Sequence, residues 1–309
     1  MNSIKYWIAL ERVQGIGPAT LKEIYKKILP LGLSLSDLFG LSISELRSEF
    51  NFNEKVASAF IEAESFMEQV ENEYMDILDA HIEVIPFFSK DYPERLHKLL
   101  GNNIPPFLYV FGNKNILKIP GAAILGERTI SERGELISYM AAKELSVKKI
   151  NIVTGLAKGA GLAATRGALE TGGVTTAFVP YGILKLQIPD FLKDIYNPSL
   201  MLCISIFPPN AEADQFSAYI RNRVICAFSY AVYIVEAPQD GGIFEAAKSA
   251  HSLKVPLYTT EYADYPESAI GNKSIMTYFG AHPVRGKRVD DITVPNVDKI
   301  IADVKFSQV

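Results

Sequence analysis

Three glycine-bearing turns hold the residues most able to do chemistry in this sequence. They are Gly126-Glu127-Arg128-Thr129-Ile130-Ser131, Thr154-Gly155-Leu156-Ala157-Lys158-Gly159-Ala160-Gly161, and residues 236–245 with Gly241-Gly242 near their centre. Each follows an apolar run. Glycine lets a backbone approach a ligand closely, and free amides at a helix N-terminus attract phosphate. Arg128 and Lys158 add full positive charges to two of the turns. The pattern points to anion binding; the plainer alternative is that the glycines only make tight strand-to-helix turns. Neither Gly-x-Gly-x-x-Gly nor Gly-Lys-Ser/Thr occurs there, which removes dinucleotide and P-loop nucleotide chemistry.

A fourth polar knot, Arg221-Asn222-Arg223, interrupts an apolar helical segment containing Phe216, Ile220, Val224 and Ile225. Residues two apart on a helix lie about 200° apart, so the two arginines face different ways. One is expected to meet a ligand anion and the other an internal carboxylate; two structural ion pairs are the alternative. Glu236, Asp240 and Glu245 have the chemistry of general acids or bases, or equally of carboxylates that orient the arginines. No nucleophile–base pair announces itself, because Ser205 and Thr154 have no histidine that must lie nearby.

Composition narrows the classes. With 31 basic and 35 acidic residues the net charge is −4, so nucleic-acid binding must come from a local patch. Cys203, Cys226 and four scattered histidines (His81, His97, His251, His282) make neither a disulfide framework nor a zinc site, and no metal or cofactor is expected. No run approaches the roughly 18 apolar residues of a membrane span. Residues 1–7 lack a charged stretch followed by an apolar core, so the expected home is reducing cytoplasm, with no membrane partner.

The elements that must position these residues follow from periodicity. Trp7, Ile8, Leu10 and Val13, then Leu21, Ile24, Tyr25 and Ile28, recur at helical spacing around the break Gly15-Ile16-Gly17-Pro18. A short helix is expected near Leu35, and one long helix from Asn53 carrying Val56, Ala59, Phe60, Ala63, Phe66, Val70, Tyr74 and Ile77. From about residue 82 the grammar changes. Apolar runs at 82–88, 107–111, 122–125, 150–154, 175–180, 200–206, 231–235 and 255–259 alternate with helical stretches such as 131–145 and 161–169. Continuous apolar strands separated by helices mean an α/β domain, a doubly wound parallel sheet covered on both faces. Ligands then bind beyond the carboxyl ends of the strands, where strand order reverses.

In order and spacing these pieces resemble the DNA-processing protein A (DprA/Smf) family. The resemblance runs from residue 6 to about 286. It rests on Gly15-Ile16-Gly17, Asp91-Tyr92-Pro93-Glu94-Arg95-Leu96, Pro105-Pro106-Phe107-Leu108-Tyr109, Gly126-x-Arg128, Thr154-Gly155-Leu156-Ala157-Lys158-Gly159, Arg166-Gly167-Ala168-Leu169, Pro208-Pro209 and Arg221-Asn222-Arg223-Val224-Ile225. It implies a helical head at 1–80, similar to a sterile-alpha-motif or helix-hairpin-helix domain, joined to an extended Rossmann-like domain at 81–309. It also implies no catalysis, single-stranded DNA in a positively charged pocket, dimerisation through the Rossmann-like domain, and delivery of RecA recombinase in DNA uptake and recombination. Carried over residue by residue, Gly126, Arg128, Thr154, Gly155, Lys158, Arg166, Arg221, Asn222, Arg223, Gly241 and Gly242 are the expected phosphate contacts. The sequence departs from the family at Glu127, Gly161, Thr165, Ile206 and Ala218, and the winged helix of many members is not expected before Val309.

Two other functions compete. Gly241-Gly242-x-x-Glu245 partly resembles the double-glycine turn of nucleotide phosphoribohydrolases, implying a small-nucleotide sensor or N-glycosidic hydrolase on the same scaffold. A degenerate paralogue acting through protein contacts is the third reading. In the head, Gly15-Ile16-Gly17-Pro18 with Lys22, Lys26 and Lys27 either meets DNA phosphate or is a packed turn with a solvated lysine face.

Overall fold

The computed structural model describes residues 4–306. Helices α1 (Ile4–Glu11), α2 (Pro18–Ile28), α3 (Ile43–Phe50), α4 (Glu54–Glu64) and α5 (Met67–Asp79) come first. Then come β1 (Glu83–Pro86), α6 (Glu94–Leu100), β2 (Phe107–Gly112), β3 (Gly121–Leu125), α7 (Glu132–Val147), β4 (Asn151–Thr154), α8 (Ala160–Glu170) and β5 (Thr175–Val179). After β6 (Met201–Ser205), α9 (Gln215–Phe228), β7 (Ala231–Ile234), α10 (Gly241–Ser252) and β8 (Leu257–Thr260), the chain continues through α11 (Gly271–Phe279), β9 (His282–Val284), β10 (Gly286–Val289), β11 (Ile292–Pro295) and α12 (Asp298–Phe306). The chain divides into two compact units. One runs up to Tyr92 and includes Leu100–Tyr109; the other takes Pro93–Leu99 and everything from Val110.

The first unit is built on an aromatic cluster. Trp7 meets Tyr25, Phe87 and Phe88 with ring centroids 6.1, 6.0 and 5.2 Å away. The stripe expected to form one helix forms two, α4 and α5. Ser65 causes the break: its hydroxyl donates to Glu62 O at 2.6 Å, competing with the helical ladder. Gly15 turns with φ +85° against the side chain of Lys55. Lys22 Nζ donates to Gly101 O and Lys27 Nζ to Asn51 O, each at 2.6 Å, so these two lysines tie the unit to itself.

In the second unit the strands run in the order β6-β5-β4-β3-β7-β8-β9. All of these pairings are parallel, with Ala122 opposite Ile152 on one side and Ala231 on the other. Every residue of β3 to β8 is buried, which is why the runs read as continuously apolar. Small residues let α7 and α8 approach closely: Ala141, Ala142, Ala164 and Ala168 lie in the core, and a Cβ on Gly167 would meet Tyr139 O at 2.3 Å. Strand β3 has β4 on one side and β7 on the other, so strand order reverses there, and the turns after β3, β4 and β7 meet at that point. The doubly wound α/β fold is as the sequence pattern requires. The β10–β11 hairpin was not anticipated; it turns on Asp290 and Asp291, both at positive φ. No helix among the described residues is long and apolar enough to cross a membrane.

Candidate functional site

The crevice is made by how its helices begin. Helix α7 is capped by Ser131, whose hydroxyl accepts from Gly134 N at 2.9 Å, and α9 by Asp214, which accepts from Ser217 N at 2.6 Å. Helices α8 and α10 start differently: neither Gly159 nor Asp240 offers a side-chain cap, and neither helix has an acidic residue in its first turn. These two uncapped N-termini follow β4 and β7, the strands flanking β3. The loop after β3 reaches both. A Cβ on Gly159 (φ +78°) would lie 2.4 Å from Glu127 O, and one on Gly241 (φ +86°) would lie 3.8 Å from Glu127 Oε1.

Arg221 is the strongest electrostatic feature. Helix α9 buries it to 5% exposure, with Nη1 donating to Gly155 O at 2.7 Å and Phe178 O at 2.8 Å. Its Nε is buried without a hydrogen-bond partner, and among the described residues no carboxylate pairs with it. Burial pushes its pKa down to about 10; repulsion from Arg128 adds to this, and Tyr181 opposes it. A buried guanidinium facing a second cation with no carboxylate is an electrostatic demand for an anion. Gly155 is required here, since a Cβ would fall 2.2 Å from Nη1.

The other expected contacts are distributed as follows. Gly126 packs closely enough that a Cβ would meet that of Ala160 at 2.7 Å. Arg128 and Lys158 are exposed and form no ion pair among the described residues. Thr154 is fully buried. Leu156 N donates to its hydroxyl, which lies 3.1 Å from that of Thr165, and Thr165 donates on to Gly161 O. This relay holds Leu156 at φ +50°, a strained setting for a non-glycine residue. Lys158 and Arg166 border a groove over α7 and α8 with Glu132, Glu135 and Tyr139, and Arg166 Nε is paired with Glu170 at 2.7 Å. Asn222 donates to Gly242 O at 3.2 Å, tying α9 to the first turn of α10. Arg223 is half-buried on a different face from Arg221.

The acidic candidates have other occupations. Glu236 is fully buried and orients no arginine: its carboxylate accepts from Ser131 N and Oγ, Tyr262 OH and Ser268 Oγ at 2.6–2.9 Å. Glu245 pairs with Lys248 at 3.3 Å. Among the described residues no three His, Cys, Asp or Glu side chains gather as metal ligands. Sequence reasoning missed Tyr181, whose carbonyl accepts from Ser205 at 2.6 Å and whose ring lies near Arg221. Its place directly after β5 was the available signal.

The profile of the DNA recombination-mediator protein A family matches residues 83–294. Protein Smf of Synechocystis is 26% identical over 275 residues, covering 82% of this chain and 63% of that protein. The DNA processing protein DprA of Streptococcus pneumoniae is 32% identical over 186 residues, covering 57% and 63% respectively. The chain thus spans less than two thirds of the length of these curated relatives. The crystal structure of the S. pneumoniae protein superposes with a TM-score of 0.71 at 21% identity, covering 91% of this chain and 94% of that one. The solved structure of DNA processing protein A from Helicobacter pylori, described for its single-stranded DNA binding mode, gives a TM-score of 0.58 at 21% identity, covering 74% and 98%.

Proposed function

Because the chain belongs to the DNA recombination-mediator protein A family, we propose that it binds single-stranded DNA through the crevice at the β3 switch point. The observation that supports this most is Arg221, buried beside Arg128 with an unpartnered Nε and no carboxylate. In this reading Arg128 and the free amides of α8 hold backbone phosphates, and Arg221 supplies charge from beneath. Gly155 makes room for Arg221, Thr154 and Asn222 hold the loops in shape, and Lys158 extends the positive surface. Gly126 lets the β3 and β4 loops close on one another. Arg166 and Arg223 lie further from the centre and contribute long-range attraction. Phosphate contacts carry little sequence information, so binding should be salt-sensitive and nearly indifferent to base.

We further propose that the protein works in the cytoplasm as a homodimer paired through the second unit, protecting DNA and passing it to RecA recombinase without catalysis. A head at 1–80 and a DNA-binding domain at 81–309 would then be its working parts. The test is fluorescence anisotropy with labelled oligo-dT across a salt series, with duplex DNA and mononucleotides as competitors. The double variant Arg128→Ala, Lys158→Ala should weaken binding by at least tenfold and flatten the salt slope by about 0.7 per lost phosphate contact. Unchanged affinity and slope would remove these residues from the interface.

A further inference from the structure

We propose that the second unit holds a separate binding cavity for a compact amphipathic acid. Its ligand has an apolar body of about two rings, a hydrogen-bond acceptor at the inner end and a negative charge at the outer end. The cavity has a volume of about 250 Å³ and lies between α7, the ends of β8 and β9, and the β10–β11 hairpin. None of Arg128, Lys158 and Arg221 lines it, so the inference does not depend on the DNA-binding reading.

The hairpin closes the cavity. Its two strands approach tightly at the rim, where a Cβ on Gly286 would lie 2.6 Å from Thr293 Cγ2. Val294 and Pro295 of β11 are buried and form one wall with Val284 of β9. Ile137 and Met140 of α7, both half-buried, form another. An apolar cavity of about 150 Å³ holds one benzene ring, so this one has room for a second.

The buried end is polar. Tyr233 and Thr260 line the same cavity at 0% and 5% exposure, with their hydroxyls 2.8 Å apart. The pair carries two protons and uses one in the bond between them. The other has no acceptor among the described residues, so the floor presents one unused donor. A buried donor left unmade costs free energy that a ligand acceptor recovers. The outer end is charged. Arg133, Glu261 and Arg285 stand at the rim, where Arg285 pairs with Glu261. Arg133 is exposed, lies over the Tyr262 ring at 5.2 Å, and has no carboxylate partner among the described residues. The rim therefore carries one net positive charge, across an apolar space from a neutral donor.

The experiment is calorimetric titration of the full chain with three probes of related shape. They are quinoline-6-carboxylate, naphthalene-2-carboxylate, which lacks the ring nitrogen, and quinoline, which lacks the charge. Quinoline-6-carboxylate should bind about fivefold more tightly than naphthalene-2-carboxylate, the advantage of one hydrogen bond. It should bind about threefold more tightly than quinoline, the advantage of an exposed ion pair. Arg133→Gln should remove the second advantage and leave the first. The double variant Tyr233→Phe, Thr260→Val should remove the first and leave the second; both changes are needed because either hydroxyl alone still donates. Melting curves show which variants fold. Arg133 is exposed, so its variant and the probe series decide the matter even where the double variant fails to fold. No binding of any probe at millimolar concentration overturns the proposal, and so does binding that is indifferent to the ring nitrogen and to Arg133.

Discussion

A methyl group on Gly155 would lie 2.2 Å from Nη1 of Arg221, and that guanidinium has nowhere equivalent to go. It is held by two main-chain carbonyls in a space from which water is excluded. Gly155 itself has an ordinary backbone conformation, so alanine there brings no backbone strain and isolates the effect on the arginine. Gly155→Ala should lower unfolding stability by about 2–3 kcal/mol, the cost of disturbing hydrogen bonds to a buried charge. Urea denaturation checks this, and a loss under about 0.5 kcal/mol would show that Arg221 relocates freely. The same proximity explains why no single residue of the Arg221-Asn222-Arg223 knot can be read alone. Their helical spacing shows that they diverge, but not which of them is buried. Packing of α9 chose Arg221 for the interior and gave it carbonyls where the sequence pattern had suggested a carboxylate.

Among the elements, α1 carries a titration that belongs to the first unit. Burial pushes the Glu11 carboxyl up to about 7, with Arg12 pulling the other way. Its ordinary value is 4.5, so between these two the folded chain binds a proton that the unfolded chain releases. Stability from this group is complete below pH 4.5 and is lost as pH rises through 7, by at most about 3 kcal/mol. Melting curves from pH 5 to 8 should show the transition involving the helical unit moving down as pH rises. Glu11→Gln should remove that part of the slope, and an identical slope in the variant would assign the effect elsewhere. Element boundaries were legible where periodicity and caps agree, as for α7 with Ser131. They were less legible where one side chain intervenes, as Ser65 does between α4 and α5. Strand β9 escaped because it is three residues long, contains Pro283 and lies mostly exposed at the sheet edge.

Over the whole molecule, the two thiols report on the integrity of the second unit. Cys203 on β6 and Cys226 on α9 are both buried, and burial pushes each thiol up to about 12. At pH 8 the thiolate fraction is then on the order of 1 in 10,000. A disulfide-exchange reagent should leave both untouched in the folded protein and label both in one phase when urea unfolds this unit. Labelling of either within minutes under native conditions would show that β6 or α9 opens separately. The net charge of −4 fits the same scale. Positive charge is nonetheless gathered locally, since Arg128, Lys158 and Arg221 stand by the switch-point turns without carboxylate partners among the described residues.

The parallel α/β fold could be read from the sequence because burial on both faces forces strands to be apolar throughout, a one-dimensional signal that needs no tertiary knowledge. The glycine turns were equally visible, since close backbone approach and positive φ leave few other residue types to choose from, as at Gly159 and Gly241. What remained hidden depends on distances between residues far apart in the chain. Gly155 and Arg221 are separated by 66 positions, and Ser131 and Glu236 by 105. Whether a charge such as Glu236 or Arg221 faces a hydroxyl, a carbonyl or another charge is fixed only when strand order brings the β3, β4 and β7 turns together. Local propensity can place each residue at the end of a strand. Only the packed sheet decides what that residue faces there.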